Sequence, residues 1–143
     1  MIRRIFLLVK GNAENLISAN PTISQQYWDG LVIEASSSII DGIKSYLESG
    51  RFKEVLDFFH DPELKNNSIV NSIVNKFSNR IGKFYNVSYA DAKKIAGALI
   101  PQTLADLVKE ANKSSEDFNV VSILSYIGGS HVNYFEVDKR MSA

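Results

Sequence analysis

The sequence predicts an all-α protein, a compact bundle of about six helices with a short irregular tail. Apolar residues recur every three or four positions along most of the chain, as on one face of a helix. No segment before the tail alternates as a strand would, and the connecting segments are short, so neighbouring helices should pack together. We expect residues 1–129 to form a single helical domain and residues 130–143 a tail or extended arm.

The first two helices are predicted from their apolar spacing and their end signals. Asn20-Pro21 ends the first, because the residue before a proline is disfavoured in helical geometry. Ser24 is suited to cap the second, and Ile23 and Trp28 have hydrophobic-staple spacing around it, which favours a packing role for the tryptophan. The first apolar face consists of Ile2, Ile5, Phe6, Val9, Ala13, Leu16 and Ile17.

The second helix carries weakening residues and a clear stop. Gly30 and Gly42 lower its helix propensity, and a bend is expected near Ser36–Ser38. Gly50 is a natural C-terminal stop. Its predicted apolar face consists of Trp28, Leu31 or Val32, Ala35, Ile39, Ile43, Tyr46 and Leu47.

A short third helix, RFKEVLDFFH, is predicted with Phe52, Val55, Leu56 and Phe59 on its apolar side. Asp61-Pro62 breaks it. The fourth helix opens at Asn66-Asn67-Ser68 and ends around Tyr85-Asn86. Its apolar stripe is predicted to include Ile69, Val70, Ile73, Val74, Phe77, Ile81 and Phe84.

The fifth helix is predicted to begin at Ser88, which has capping-box spacing to Asp91. Its apolar stripe continues past Pro101, a residue that costs about 3 kcal/mol or more inside a helix. We therefore expect either one kinked helix or two helices meeting at Ile100-Pro101. Asn119 can cap a last helix, VVSILSYI, which Gly128-Gly129 closes. The tail segment HVNYFEV could form a short strand or an extended arm.

The two halves of the chain show a similar pattern. A shift of 61 positions places Ala35–Leu47 on Ala96–Val108 with apolar residues matched, and a short apolar helix follows in each half. Any two amphipathic helices can be aligned in this way, so the sequence leaves duplication open.

Composition excludes several kinds of chemistry. The chain has 143 residues with 16 basic and 16 acidic side chains, so its charges balance and indicate no general attraction to nucleic acid or anionic membranes. The absence of cysteine excludes disulfides, thiol nucleophiles and zinc–thiolate sites. The apolar run Ile5–Val9 is too short for a signal-peptide core or a membrane span, and we expect a cytoplasmic protein. An interfacial membrane helix with Arg3, Arg4 and Lys10 on its basic face is the alternative for the first helix.

No motif nominates a catalytic, cofactor or metal site, and we expect a protein that is not an enzyme. His60 with Asp61 and Glu63 could contribute to a metal site, but a histidine at a helix end beside solvated acids is the simpler interpretation. His131 is expected to be exposed in the tail. The Gly-x-Ser-x-Gly elbow, the Gly-rich phosphate loops and the Glu-x-x-His pairing of di-iron bundles are all absent.

Two functional hypotheses remain. The first is a non-catalytic protein-interaction or self-association module, because many large apolar side chains lie on short segments and some could stay exposed. The second is weak nucleic-acid binding by two helices around the turn Asn86–Ser88, which resemble a helix-turn-helix in outline. The basic residues around that turn are Lys76, Arg80, Lys83, Lys93 and Lys94.

Four strings in order, NPTIS, EASSSIIDGI, AGALIPQTLADLV and DFNVVSILSYIGG, resemble the YidB-like family of bacterial proteins over roughly residues 1–129. The resemblance implies an all-helical fold without an established activity, and it supplies no catalytic residues to carry over. The segment RFKEVLDFFHDPELKNN departs from the family, whose members tend to be Gly-rich around the short helices.

Overall fold

The computed structural model describes residues 1–20, 23–61, 63–64 and 66–129, and it confirms the all-α class. The predicted tail at 130–143 lies outside the described residues, and so does His131. Six helices are present in the described part, and no strand is found there: α1 (Ile2–Ala19), α2 (Gln25–Glu48), α3 (Phe52–His60), α4 (Ser68–Phe84), α5 (Tyr89–Asn112) and α6 (Val120–Gly128).

Helices α1, α2, α4 and α5 form a four-helix bundle in which each helix packs against the next, and α5 packs back on α1. Neighbours run antiparallel. For α1 and α5, Asn12 Nδ2 donates to Asp106 Oδ2 at 2.9 Å, while Arg4 at the start of α1 lies over the Phe118 ring, beyond the end of α5. The antiparallel course brings the N-terminal ends of α2 and α5 to the same end of the bundle.

The short helices α3 and α6 pack against both α2 and α5. Asn112, the last residue of α5, donates a hydrogen bond through its Nδ2 to the Phe59 carbonyl at 2.8 Å, so α3 lies at the end of the bundle where α5 finishes. Because α3 is covered from two sides, Phe58 is fully buried although the sequence pattern places only Phe52, Val55, Leu56 and Phe59 on its apolar face.

The two halves of the chain repeat the same arrangement. Helix α1 corresponds to α4, α2 to α5 and α3 to α6. When each helix is exchanged for its counterpart, the same helix pairs pack against each other. Ser24 and Ser88 occupy the same position before α2 and α5, and each accepts a hydrogen bond from the backbone N–H three residues on. These caps place the correspondence at 64 positions rather than the predicted 61. The difference is close to one helical turn, which explains why the shifted apolar faces also match.

The predicted helix ends are confirmed where end signals are strong. Gly50 lies in the left-handed region at φ +79°. Its N–H donates to the Leu47 carbonyl and the N–H of Arg51 donates to the Tyr46 carbonyl, the pair of bonds that defines a Schellman stop. At α6, Asn119 and Ser122 form a reciprocal capping box.

Helix α5 runs through Pro101 without interruption, so the alternative of two helices meeting at Ile100-Pro101 is wrong. Leu99 and Ile100 are fully buried just before the proline, and their packing holds this part of α5 in place. Pro101 has no N–H, so the carbonyl of Gly97 lacks its usual helical hydrogen bond. Gly97 is exposed, and water can reach that carbonyl instead. The buried stripe continues beyond the proline through Thr103, Leu104 and Leu107.

The predicted apolar stripe of α4 is too long at its C-terminal end. Its buried side ends at Ile81, and the Phe84 side chain is 66% exposed at the last residue of the helix. Among the other aromatic side chains, Phe59 and Phe77 are fully buried, whereas Tyr126 is 49% exposed. Most large side chains are therefore in the core, and the exposed ones deserve separate interpretation.

Candidate functional site

The five basic residues predicted around the α4–α5 turn divide into two groups in the structure. Arg80 faces α2, where its Nη2 lies 2.9 Å from Asp41 Oδ2 and its Nη1 lies 3.4 Å from Glu34 Oε1. Its Nη1 is also 3.4 Å from Ser38 Oγ. Arg80 therefore joins α4 to α2, and its charge is neutralised by two carboxylates.

Three of the remaining lysines are exposed, and two of them lie over exposed aromatic rings. Lys83 Nζ is 5.4 Å from the centroid of Phe84, and Lys93 Nζ is 5.1 Å from the centroid of Tyr89. The side chains of Phe84 and Tyr89 are 66% and 71% exposed. We call Lys83, Phe84, Tyr89 and Lys93 the aromatic–lysine cluster. Lys94 is exposed beside it on α5, while Lys76 is half-buried on α4.

The α4–α5 turn is fixed against α2 by Tyr85. A Cβ built on Gly30 would lie 2.5 Å from Tyr85 Cε1, so the tyrosine ring rests directly on the backbone of α2. Burial raises the pKa of the Tyr85 phenol, and the neighbouring Glu34 carboxylate raises it further. The turn that presents the aromatic–lysine cluster is therefore anchored to the bundle.

A second surface feature is an apolar groove between α1 and α2, formed by two adjoining depressions that share Phe6 and Ile33. The side chains of Ile2 and Ile33 are 53% and 56% exposed along it. We call this surface the α1–α2 groove. Its lining consists of Ile2, Arg3, Phe6, Lys10, Ala13, Glu14, Ile17, Gln25, Trp28, Asp29, Val32, Ile33, Ser36 and Ser37.

The deeper part of the α1–α2 groove has a volume of about 140 Å³ and includes Trp28 in its wall. Trp28 is buried, as its predicted packing role requires. Its Nε1–H is buried and has no hydrogen-bond partner among the described residues.

Sequence reasoning missed the α1–α2 groove. Ile33 lies off the predicted apolar face of α2, and an apolar residue out of phase with its helix was the one available signal. The groove also requires α1 and α2 to be neighbours, which periodicity alone does not establish.

Around His60, the residues that the structure describes do not assemble a metal site. His60 is exposed at the end of α3, and Asp61 accepts hydrogen bonds from the Glu63 backbone N–H and from Asn67 Nδ2. Within the residues that the structure describes, no group of three or more histidine, aspartate or glutamate side chains is placed to hold a metal ion.

Helix α1 packs in the bundle with its main apolar side inward, so the interfacial alternative could use only outward-facing residues such as Ile2 and Leu7 and stays a prediction. Ile5, Val9 and Ala13 are fully buried, and Arg4 lies over the Phe118 ring at 4.6 Å. None of the helices in the described ranges combines the length and apolarity needed to cross a membrane.

Comparisons with protein-family models, with curated proteins and with solved structures found no match to this chain. The resemblance to the YidB-like family therefore stays a prediction. The assignment of function depends on the two surfaces described above.

Proposed function

We propose that this chain is a non-catalytic interaction module whose α1–α2 groove receives an apolar segment of a partner protein. The observation that carries the proposal is the pair of exposed isoleucines, Ile2 and Ile33, beside the half-buried Phe6 ring. Fully burying such a side chain contributes roughly 1.5–3 kcal/mol, so covering these residues would give a useful part of a binding free energy.

The shape of the α1–α2 groove supports this proposal. Its walls are two helices of the bundle whose inner faces are buried, so binding requires little reorganisation of the backbone. The deeper part, at about 140 Å³, is close to the roughly 150 Å³ cavity volume that accommodates a benzene ring. One leucine or phenylalanine side chain of a partner would fit there as an anchor.

Replacing Ile33 with glutamate is expected to remove partner binding while leaving the fold intact, because the side chain is 56% exposed and glutamate is tolerated in helices. The measurement is affinity capture from the native host with wild-type protein and Ile33→Glu, quantified by mass spectrometry. Tyr126→Glu is the matched control, since Tyr126 is 49% exposed on α6 and does not line the groove.

The expected result is at least one protein that wild type and Tyr126→Glu retain and Ile33→Glu loses by roughly tenfold or more. Equal recovery by all three proteins would contradict a docking role for the α1–α2 groove. Because Trp28 lines the same groove as Ile33, far-UV circular dichroism with thermal unfolding, rather than tryptophan emission, checks that each variant has kept the native fold.

A second candidate function is weak binding of single-stranded nucleic acid by the aromatic–lysine cluster. The observation that favours it is the exposure of Phe84 and Tyr89, each beside a lysine. Exposed aromatic rings stack with bases, and lysines neutralise phosphates. After Lys94, α5 exposes Gly97, which has no side chain, and Ala98, which has no hydrogen-bonding group for base edges, so sequence-independent binding is expected.

The nucleic-acid candidate predicts a strong salt dependence. If binding neutralises two or three phosphates of a single strand, raising the salt concentration from about 50 to about 200 mM should weaken it roughly tenfold. Fluorescence anisotropy with a labelled oligonucleotide should show this, and Lys83→Ala/Lys93→Ala should reduce the slope. Lys44→Ala/Lys53→Ala serves as the control on a distant surface. No binding at low salt, or equal loss in both double variants, would remove this candidate.

The family resemblance and the cytoplasmic location both stay predictions within this proposal. Neither is needed for the experiments above, which use the full chain and its own side chains.

A further inference from the structure

The geometry points to a second copy of this chain as the occupant of the α1–α2 groove, in a two-fold symmetric dimer. This inference rests on the proposed function, because it names the partner of the same groove. A two-fold interface must be complementary to itself when one copy is rotated by half a turn. The charges along the groove meet that condition.

The α1–α2 groove has a basic end and an acidic end. Arg3 lies at the end that also contains Ile2, whereas Glu14 and Asp29 lie at the end that contains Ile17. Lys10 lies between Arg3 and the two acids, in the same depression as Glu14 and Asp29. That depression therefore carries two negative charges and one positive charge. Arg3 and Glu14 form no ion pair with any residue of the described ranges, so both charges are free for an intermolecular contact.

An antiparallel approach of two grooves pairs these ends. Arg3 and Glu14 are separated by eleven residues of α1, or about 16 Å at 1.5 Å per residue. A two-fold axis that crosses α1 between Phe6 and Lys10 brings Arg3 of each copy toward the acidic end of the other. A parallel approach would instead place like charges together.

The apolar centre of the α1–α2 groove lies where the axis would pass. Ile33 belongs to both depressions and is 56% exposed, and Phe6 lies opposite it on α1. In a two-fold dimer the Ile33 side chains of the two copies would be buried near each other. Apart from Lys10, which lies beside the axis, the groove has apolar residues in the middle and charges toward both ends, the usual layout of an interface core and rim.

The size of the surface predicts a weak dimer. Two adjacent helices of this length present a face of roughly 25 by 20 Å, which corresponds to about 1,000 Å² of surface buried in total by the two copies. That area is at the lower limit of specific interfaces. The monomer–dimer equilibrium is therefore expected at micromolar to submillimolar concentrations and should be missed in dilute samples.

Sedimentation velocity of the full chain across this concentration range tests the inference. Arg3→Glu and Glu14→Arg are each expected to weaken the dimer about tenfold, because every reversal acts at two symmetry-related contacts and introduces like-charge repulsion. The double variant Arg3→Glu/Glu14→Arg should recover most of the loss. Lys53→Glu, which makes the same charge reversal as Arg3→Glu outside the groove, should leave the equilibrium unchanged, and Ile33→Glu should abolish the dimer.

A monomer at every concentration overturns the inference, and so does a dimer that the groove variants leave unaffected. If the chain is monomeric while Ile33→Glu still loses a captured protein, the second copy is excluded and the proposed function survives. If capture also shows no groove dependence, both fail. Growth into open oligomers would contradict the two-fold arrangement, since a two-fold contact closes at two copies.

Discussion

Replacing Phe58 with alanine is expected to destabilise the protein by about 3–5 kcal/mol, the usual cost of removing a fully buried phenylalanine. Phe58 has no exposed surface, and its ring packs edge-to-face on Phe59 with centroids 5.1 Å apart. Because α3 packs against both α2 and α5, the cavity would open at the contact between three helices. Equilibrium unfolding in urea, followed by Trp28 emission, measures the change.

Lys53→Ala is the matched control for Phe58→Ala. Lys53 lies in the same nine-residue helix and is exposed, so its replacement should change the free energy of unfolding by less than about 0.5 kcal/mol. A loss below about 1 kcal/mol for Phe58→Ala would mean that α3 is not packed against the bundle as described. The comparison separates burial of the side chain from the helix propensity of α3.

Phe58 also shows where sequence reasoning about the fold stops. Helix positions, caps and the Gly50 stop follow from local rules, since each depends on residues within a few positions. Periodicity assumes that a helix has one buried side, and α3 has a wider one because it lies against two long helices. Phe84 is the opposite case, an apolar residue in phase with its helix but beyond the end of the covered surface.

The candidate sites depend on contacts between distant parts of the chain, and these were harder to predict. The sequence placed Arg80 with four lysines near one turn, but its carboxylate partners Glu34 and Asp41 lie 46 and 39 positions away. A count of the charges along one short segment does not include these distant carboxylates. Lys83 and Lys93 lie beside the turn because of their positions in the chain, whereas the placement of Phe84 and Tyr89 under their ammonium groups required the structure.

Gly42→Ala is the second large effect expected, and its sign runs against helix propensity. Alanine is favoured over glycine inside a helix by roughly 0.5–1 kcal/mol, which is why the sequence suggested that Gly42 weakens α2. In the structure, a Cβ at this position would lie 2.5 Å from Ile73 Cγ1 and 3.1 Å from its Cδ1. Ile73 is fully buried and β-branched, so it has few alternative rotamers to adopt.

The added methyl group should therefore push α2 and α4 apart or force Ile73 out of its rotamer, at a cost of about 1–3 kcal/mol for overpacking. The propensity gain offsets only part of that cost, and thermal unfolding should show a lower melting temperature. Gly11→Ala provides the matched control, because Gly11 lies inside α1 and a Cβ built there would meet no atom within 4 Å apart from its own helix backbone and chain neighbours. The same substitution there is expected to stabilise by roughly 0.5–1 kcal/mol. If Gly42→Ala destabilises the protein while Gly11→Ala stabilises it, Gly42 sets the distance between α2 and α4 and therefore the position of Arg80 between Glu34 and Asp41. If both substitutions stabilise the protein, the close approach of α2 and α4 at Gly42 does not exist.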